Sequence, residues 1–182
     1  MIYVLLAKGF EEIEALTVVD FLRRAELEVY TVGIGGKIIV GSHNIPVFCD
    51  LEDNEIEPED GIDAVVLPGG MPGTLNLEKS AKVNEMIDFC ALNGKYICAI
   101  CAAPSILGHK GLLNGRKAIC FPGFEKELQG AEISDKFVCT DGKFITAKGM
   151  GSAIDFSCEI AAELLNDSDK ALALRKSLQC PF

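Results

Sequence analysis

The sequence predicts an α/β domain with a mainly parallel sheet and helices on both of its faces. Strand-length apolar runs alternate with longer stretches of helical periodicity. Several of those runs are apolar throughout, as strands buried on both faces are. The 182 residues, 49% apolar and 24% charged, suffice for one core, so a single domain over residues 1–182 is expected.

The elements follow in order. "IYVLLA" (2–7) is a buried strand. Residues 11–25 carry Ile13, Leu16, Val19 and Leu22 at helical spacing. "EVYTVGI" (28–34) is the second strand, and "KIIVGSHNIPVFC" (37–49) a hairpin turning near Ser42–Asn44. The acidic run "DLEDNEIEPEDG" (50–61) is a solvated loop with at most a helical turn. "DAVVLPGG" (63–70) is a strand ending in two glycines, and a helix over about 80–93 closes at Asn93-Gly94. "KYICAI" is the next strand, followed by a helix over about 102–113 and a short strand "RKAIC". "KFVCT" and "KFITA" pair through Asp141-Gly142, a hairpin signal. Helices over about 150–166 and 168–178 end the chain.

Composition excludes several classes of function. A net charge of −10 with no basic cluster argues against nucleic acid and anionic membrane surfaces. Residues 2–7 are too short for a membrane span or a signal core, which points to the cytoplasm. Without a secretory signal, the eight cysteines read as mostly reduced thiols, many of them small apolar core residues.

Open sheets of this kind bind ligands beyond the C-terminal ends of their strands. Three segments there are chemically unusual. In "AICAAPSIL", Cys101 sits where a strand hands over to a helix, with Pro104 in the first helical turn. Free N–H groups at that turn favour an anion, so a lowered thiol pKa is expected. Small Ala102 and Ala103 let a ligand approach the backbone. The segment is similar to a nucleophile elbow without matching G-x-S-x-G. By itself, the motif also allows Cys101 to be one more buried thiol. Cys98 lies inside the strand, so C-x-x-C is not read as a redox pair, and no His pair at ligand spacing suggests zinc.

In "AKGFEEIEAL", Glu11 and Glu12 suit a helix N-terminus, whereas Glu14 can point back toward the sheet edge. A buried carboxyl beside a sulfur would have a raised pKa and could serve as general acid or base. In "VVLPGGMPGT", Gly69 and Gly70 expose N–H groups that could pair with that of Ala102 as an oxyanion hole, or simply make a tight turn.

Together, "GFEEIEALTVVDFLRRAELEVYTVG", "DAVVLPGGMPGTLNL", "ICAICAAPSIL", "FPGF" and "GMGSAIDFSCEIAAELL" resemble the ThiJ/PfpI superfamily, specifically its DJ-one branch of Parkinsonism-associated deglycases. The resemblance spans nearly the whole chain. It implies a flavodoxin-like doubly wound fold and a homodimer. It matches Cys101 to the family's oxidation-sensitive nucleophile, Glu14 to the acid that bonds it, and Gly70 and Ala102 to the backbone donors beside it. Gly69, Ala103, Phe121, Pro122 and His43 are possible lining residues, and no metal or cofactor is implied. The implied activities are conversion of small 2-oxoaldehydes such as methylglyoxal to hydroxy acids without glutathione, deglycation of aldehyde adducts on proteins, and a redox-linked chaperone role. The alternative is a redox-sensing cysteine protein without significant catalysis.

Two departures stand out. Many members carry His where this chain has Phe121, so a Cys-His pair is missing. The peptidase-like branch has His directly after its nucleophile, where this chain has Ala102, which argues against protease and amidotransferase roles. His109 reads as an exposed or capping residue.

Overall fold

The computed structural model describes residues 1–180. A seven-stranded sheet runs in the order β10-β11-β7-β6-β1-β2-β5. Its strands are β1 (Ile2–Leu6), β2 (Val29–Gly33), β5 (Leu51–Glu52), β6 (Ala64–Leu67), β7 (Tyr96–Ile100), β10 (Val138–Asp141) and β11 (Phe144–Ala147). All neighbours are parallel except the β10–β11 hairpin. The chain builds outward from β1 to β2 on one side and from β1 to β6 on the other, so the order switches between β1 and β6. This is the flavodoxin-like α/β fold. Crevices beyond the strand ends at such a switch are where open parallel sheets place their ligands.

Each central strand feeds both faces by simple alternation. Val4, Val66, Cys98 and Ile100 pack on one side, with Phe21 and Leu22 of α1 (Glu12–Arg24) and Phe156 and Ile160 of α5 (Ala153–Leu165). Leu5, Val65, Leu67, Ile97 and Ala99 pack on the other, with Met86 and Ile87 of α3 (Ala81–Leu92) and Ile106 and Leu107 of α4 (Pro104–His109). Each such fully buried aliphatic side chain contributes about 1.5–3 kcal/mol. The final helix, α6 (Ser168–Ser177), leans on α5.

Several elements differ from the sequence expectation. The hairpin β3 (Ile38–Val40) and β4 (Pro46–Phe48) forms as read, but as a separate two-stranded ribbon. The acidic run is not all loop. Leu51–Glu52 joins the sheet edge beside β2, and a 3-10 turn follows at Asp53–Glu55. The helix expected over 102–113 is confined to six residues, because Cys101–Ala103 form a turn and Gly111 adopts φ +71 just beyond. The strand over 116–120 shrinks to β8 (Lys117–Ala118), paired with β9 (Glu132–Ile133). An unexpected helix, α2 (Gly73–Lys79), starts directly after Pro72, in residues that read as turn formers. The helix expected from residue 150 begins with a 3-10 turn, Met150–Ser152, before α5.

Candidate active site

The loops after β1, β6, β7 and β11 converge at one edge of the sheet. The β7 strand ends at Ile100, and Cys101 follows with φ +64, the left-handed region. For a residue with a side chain this costs about 1–2 kcal/mol, and it turns the chain sharply so that the thiol projects beyond the strand end. Main-chain bonds on both sides hold the turn. The N–H of Cys101 donates to the carbonyl of Ala147 (2.9 Å), and its own carbonyl accepts from the N–H of Phe121 (2.7 Å).

Glu14 reaches this point from the first turn of α1, with only 1% of its surface exposed. Its Oε2 accepts from the N–H of Gly69 (2.9 Å), and the carboxyl also meets the Cys101 thiol and the N–H of Met150. The N–H groups of Gly70 and Ala102 face the sulfur. Gly69 has to be glycine: a Cβ there would lie 2.6 Å from both Cys101 Cβ and Glu14 Oε2. Gly70 adopts φ +92, and its turn is fixed as the N–H of Glu11 bonds the carbonyl of Gly69 (2.9 Å). Cys101, Glu14, Gly69, Gly70 and Ala102 are therefore brought together, in the arrangement the sequence suggested.

The electrostatics correct one expectation. A thiol pKa lowered by a helix terminus was expected, but burial pushes Cys101 up to about 12, and the charge and hydrogen bond of Glu14 add to that rise. The N–H groups of Ala102 and Gly70 work in the opposite direction without reversing it. The six-residue α4 begins only at Pro104, so the expected helix dipole is short and set back from the sulfur. Burial also lifts Glu14 to about 7, against the lowering effects of the Cys101 thiol and the Gly69 N–H. The pair thus loses its first proton near neutrality and its second only in strong base, so near pH 7 one negative charge is shared between carboxyl and sulfur.

The remaining candidates divide. Phe121 and Pro122 line an apolar cavity of about 340 Å³ together with Phe137, Gly149 and Met150. Ala103 does not line the site; it is fully buried in the core on the α3–α4 face. His43 is exposed and its ring bonds Glu12 (3.0 Å) and Ser42 (3.0 Å) rather than Cys101 or Glu14. Glu12 stands in the first turn of α1, as expected of a helix-start acid, and is also buried, at 4% exposed. Burial works to raise its pKa, but the side-chain and backbone hydrogen bonds from His43 hold it at about 2. Glu11, Glu12 and His43 offer ligand atoms within 4.8 Å of one another, the grouping among the described residues that could hold a metal. Their hydrogen bonds to one another and to Ser42 account for them without one. His109 is the last residue of α4 rather than its cap, and its ring bonds Glu78 and Glu127. Cys98 is fully buried in β7, and all eight cysteines are free.

The sequence reading missed the contribution of the segment after β11. Ala147 anchors Cys101, and the Met150 N–H favours the charged form of Glu14. The run Gly149-Met150-Gly151, placed directly after a strand, was the available signal.

The DJ-1/PfpI family model matches residues 1–163. The chain belongs to the DJ-1/PfpI family. Protein dj-1beta of Drosophila melanogaster is 35% identical over 164 residues, 88% of this chain and 87% of its own length. Deglycase PfpI of Pyrococcus furiosus is 32% identical over 148 residues, 80% of this chain and 87% of its own. The solved structure of oxidized DJ-1 from Toxoplasma gondii superposes with a TM-score of 0.93 at 32% identity, covering 100% of this chain and 98% of that one. A DJ-1-like function follows from this membership. No helix among the described residues is long and apolar enough to cross a membrane.

Proposed function

We propose that this DJ-1/PfpI member is a cysteine-dependent, cofactor-free enzyme acting on small 2-oxoaldehydes or on their protein adducts, in the cytoplasm and as a homodimer. The observation that carries the reading is the contact of the Cys101 thiol with the buried Glu14 carboxyl, flanked by the N–H groups of Gly70 and Ala102. The name of the relative from Pyrococcus furiosus, a deglycase, points the same way.

The chemistry is internally balanced. The sulfur of Cys101 bonds to the aldehyde carbon, and its proton passes by way of Glu14 to the carbonyl oxygen, giving a hemithioacetal. The Glu14 carboxylate removes the hydrogen of that carbon as a proton and returns it to the neighbouring carbonyl carbon. The hydroxyl proton of the first carbon passes to the oxygen of the second, so the first carbon is oxidised and the second reduced, leaving a 2-hydroxy thioester. Water cleaves the C–S bond, releasing the 2-hydroxy acid and restoring the thiol. A pKa of about 7 suits Glu14 to both halves of this proton transfer. The Gly70 and Ala102 N–H groups stabilise oxygen charge as it develops. In the homodimer, Ile13 and Leu16 of α1, with Ile45 and Ile154, supply an exposed apolar contact face.

The test is methylglyoxal consumption and lactate formation by the wild type and by Cys101→Ser. Loss of both in the variant is expected, and equal rates overturn the proposal.

A second reading is a redox sensor or redox-regulated chaperone, and the solved structure of a DJ-1 from Toxoplasma gondii in its oxidized form favours it. Burial that holds Cys101 up at about 12 slows attack on peroxide as it slows attack on an aldehyde, so the pKa does not separate the two. In this reading two peroxide molecules each give one oxygen to the sulfur and leave as water. The sulfinate accepts from the same N–H groups and from protonated Glu14. A gain of two oxygens confined to Cys101 after mild peroxide, with no aldehyde turnover, supports it over catalysis.

A further inference from the structure

The cavity beside the pair is larger and more apolar than methylglyoxal needs. Its walls include Phe121, Pro122, Phe137, Gly149, Met150 and Gly151, and its volume is about 340 Å³. Phe121, Phe137 and Met150 leave 46%, 66% and 49% of their surface uncovered. Large apolar side chains gathered around a hollow and left exposed mark a place where something apolar binds.

Two main-chain groups tie this hollow to the reacting pair. Phe121 donates its N–H to the carbonyl of Cys101 (2.7 Å), and the N–H of Met150 lies close enough to the Glu14 carboxyl to favour its charged form. The first residue forms one wall and the second another. A methyl group, close in size to the roughly 30 Å³ share of one water molecule, leaves most of it empty.

We propose that this cavity is the side-chain subsite of the Cys101–Glu14 site, selecting 2-oxoaldehydes that carry an aryl or long alkyl group over methylglyoxal. The inference rests on the catalytic reading of Cys101 given above. It assigns Phe121 and Phe137 to substrate selection, and gives the position where His is missing an apolar role.

Gly151 provides the test. A Cβ built there meets no atom within 4 Å, and its φ lies outside the left-handed region, so a larger residue extends into the open hollow without backbone strain. Wild type, Gly151→Leu and Phe137→Ala are assayed with methylglyoxal and phenylglyoxal. Wild type is expected to show a kcat/KM for phenylglyoxal about tenfold or more above that for methylglyoxal, chiefly through KM. Gly151→Leu is expected to collapse that ratio by about tenfold. Phe137→Ala lowers it in the same direction and serves if the leucine variant does not fold. Methylglyoxal turnover without preference for phenylglyoxal overturns this inference and leaves the catalytic reading standing. So does a Gly151→Leu variant in which both substrates fall equally, or whose association state changes at assay concentration, which would make the face an interface. Turnover of neither substrate by the wild type overturns the catalytic reading and this inference with it.

Discussion

Gly69 lies so close to Cys101 that a Cβ on the glycine would stand 2.6 Å from the Cβ of the cysteine. The same Cβ would stand 2.6 Å from Glu14 Oε2. One missing methyl group therefore lets carboxyl and thiol meet.

Gly69→Ala is expected to fold with a loss of about 1–3 kcal/mol, because backbone and side chains around it are fully packed. It should also separate Glu14 from Cys101. Urea unfolding measures the first effect. Loss of the pH dependence of Cys101 alkylation near neutrality measures the second.

Glu14→Gln should flatten the pH dependence of stability between pH 4.5 and 7. The folded state holds the Glu14 proton up to about 7, against 4.5 for a freely exposed glutamate. The stabilisation is thus fully present below pH 4.5 and is lost as pH rises through 7. At about 1.4 kcal/mol per pH unit, wild type loses about 3 kcal/mol across this window relative to the variant. Urea midpoints at pH 5 and pH 8 for the two proteins give the difference directly.

The same substitution should make Cys101 more reactive as a free thiol. After burial, the charge and hydrogen bond of Glu14 are what hold the thiol pKa up. An uncharged amide removes the charge, the larger of the two, and its NH2 can donate to a thiolate, so iodoacetamide labelling of Cys101 at pH 8 is expected to rise about tenfold or more. A slower variant would show that the carboxylate activates the sulfur rather than restraining it.

Cys98→Ser should cost about 1–3 kcal/mol, the penalty for a buried hydroxyl without a partner. Cys98 has no exposed surface and sits in β7 among apolar neighbours. Peroxide oxidation of Cys101 should be unchanged, since the two thiols do not act as a pair.

Much of this was legible in the sequence because it is written in local patterns. The central strands alternate core-facing residues, as Val65 and Val66 do, and each ends at a segment of unusual composition. Glu14 could be separated from Glu11 and Glu12 by its register on the helix. What stayed hidden depends on contacts made at long range. Whether Cys101 is acidic depends on how much water reaches it, and no neighbouring residue in the chain encodes that. The Met150 N–H reaches Glu14 across 136 positions of sequence. Glu12 looked like an ordinary first-turn acid until Ser42 and His43 folded over it. β5 was obscured by its acidic neighbours, since only Leu51 and Glu52 pair with β2.

The peptide groups of Cys101 are bonded on both sides, by Ala147 through the nitrogen and by Phe121 through the oxygen. Its sulfur can therefore swivel about the Cα–Cβ bond and do little else. An incoming molecule has to adapt its approach to an atom confined to one short arc, so selection among candidates happens through their shape before any bond is made.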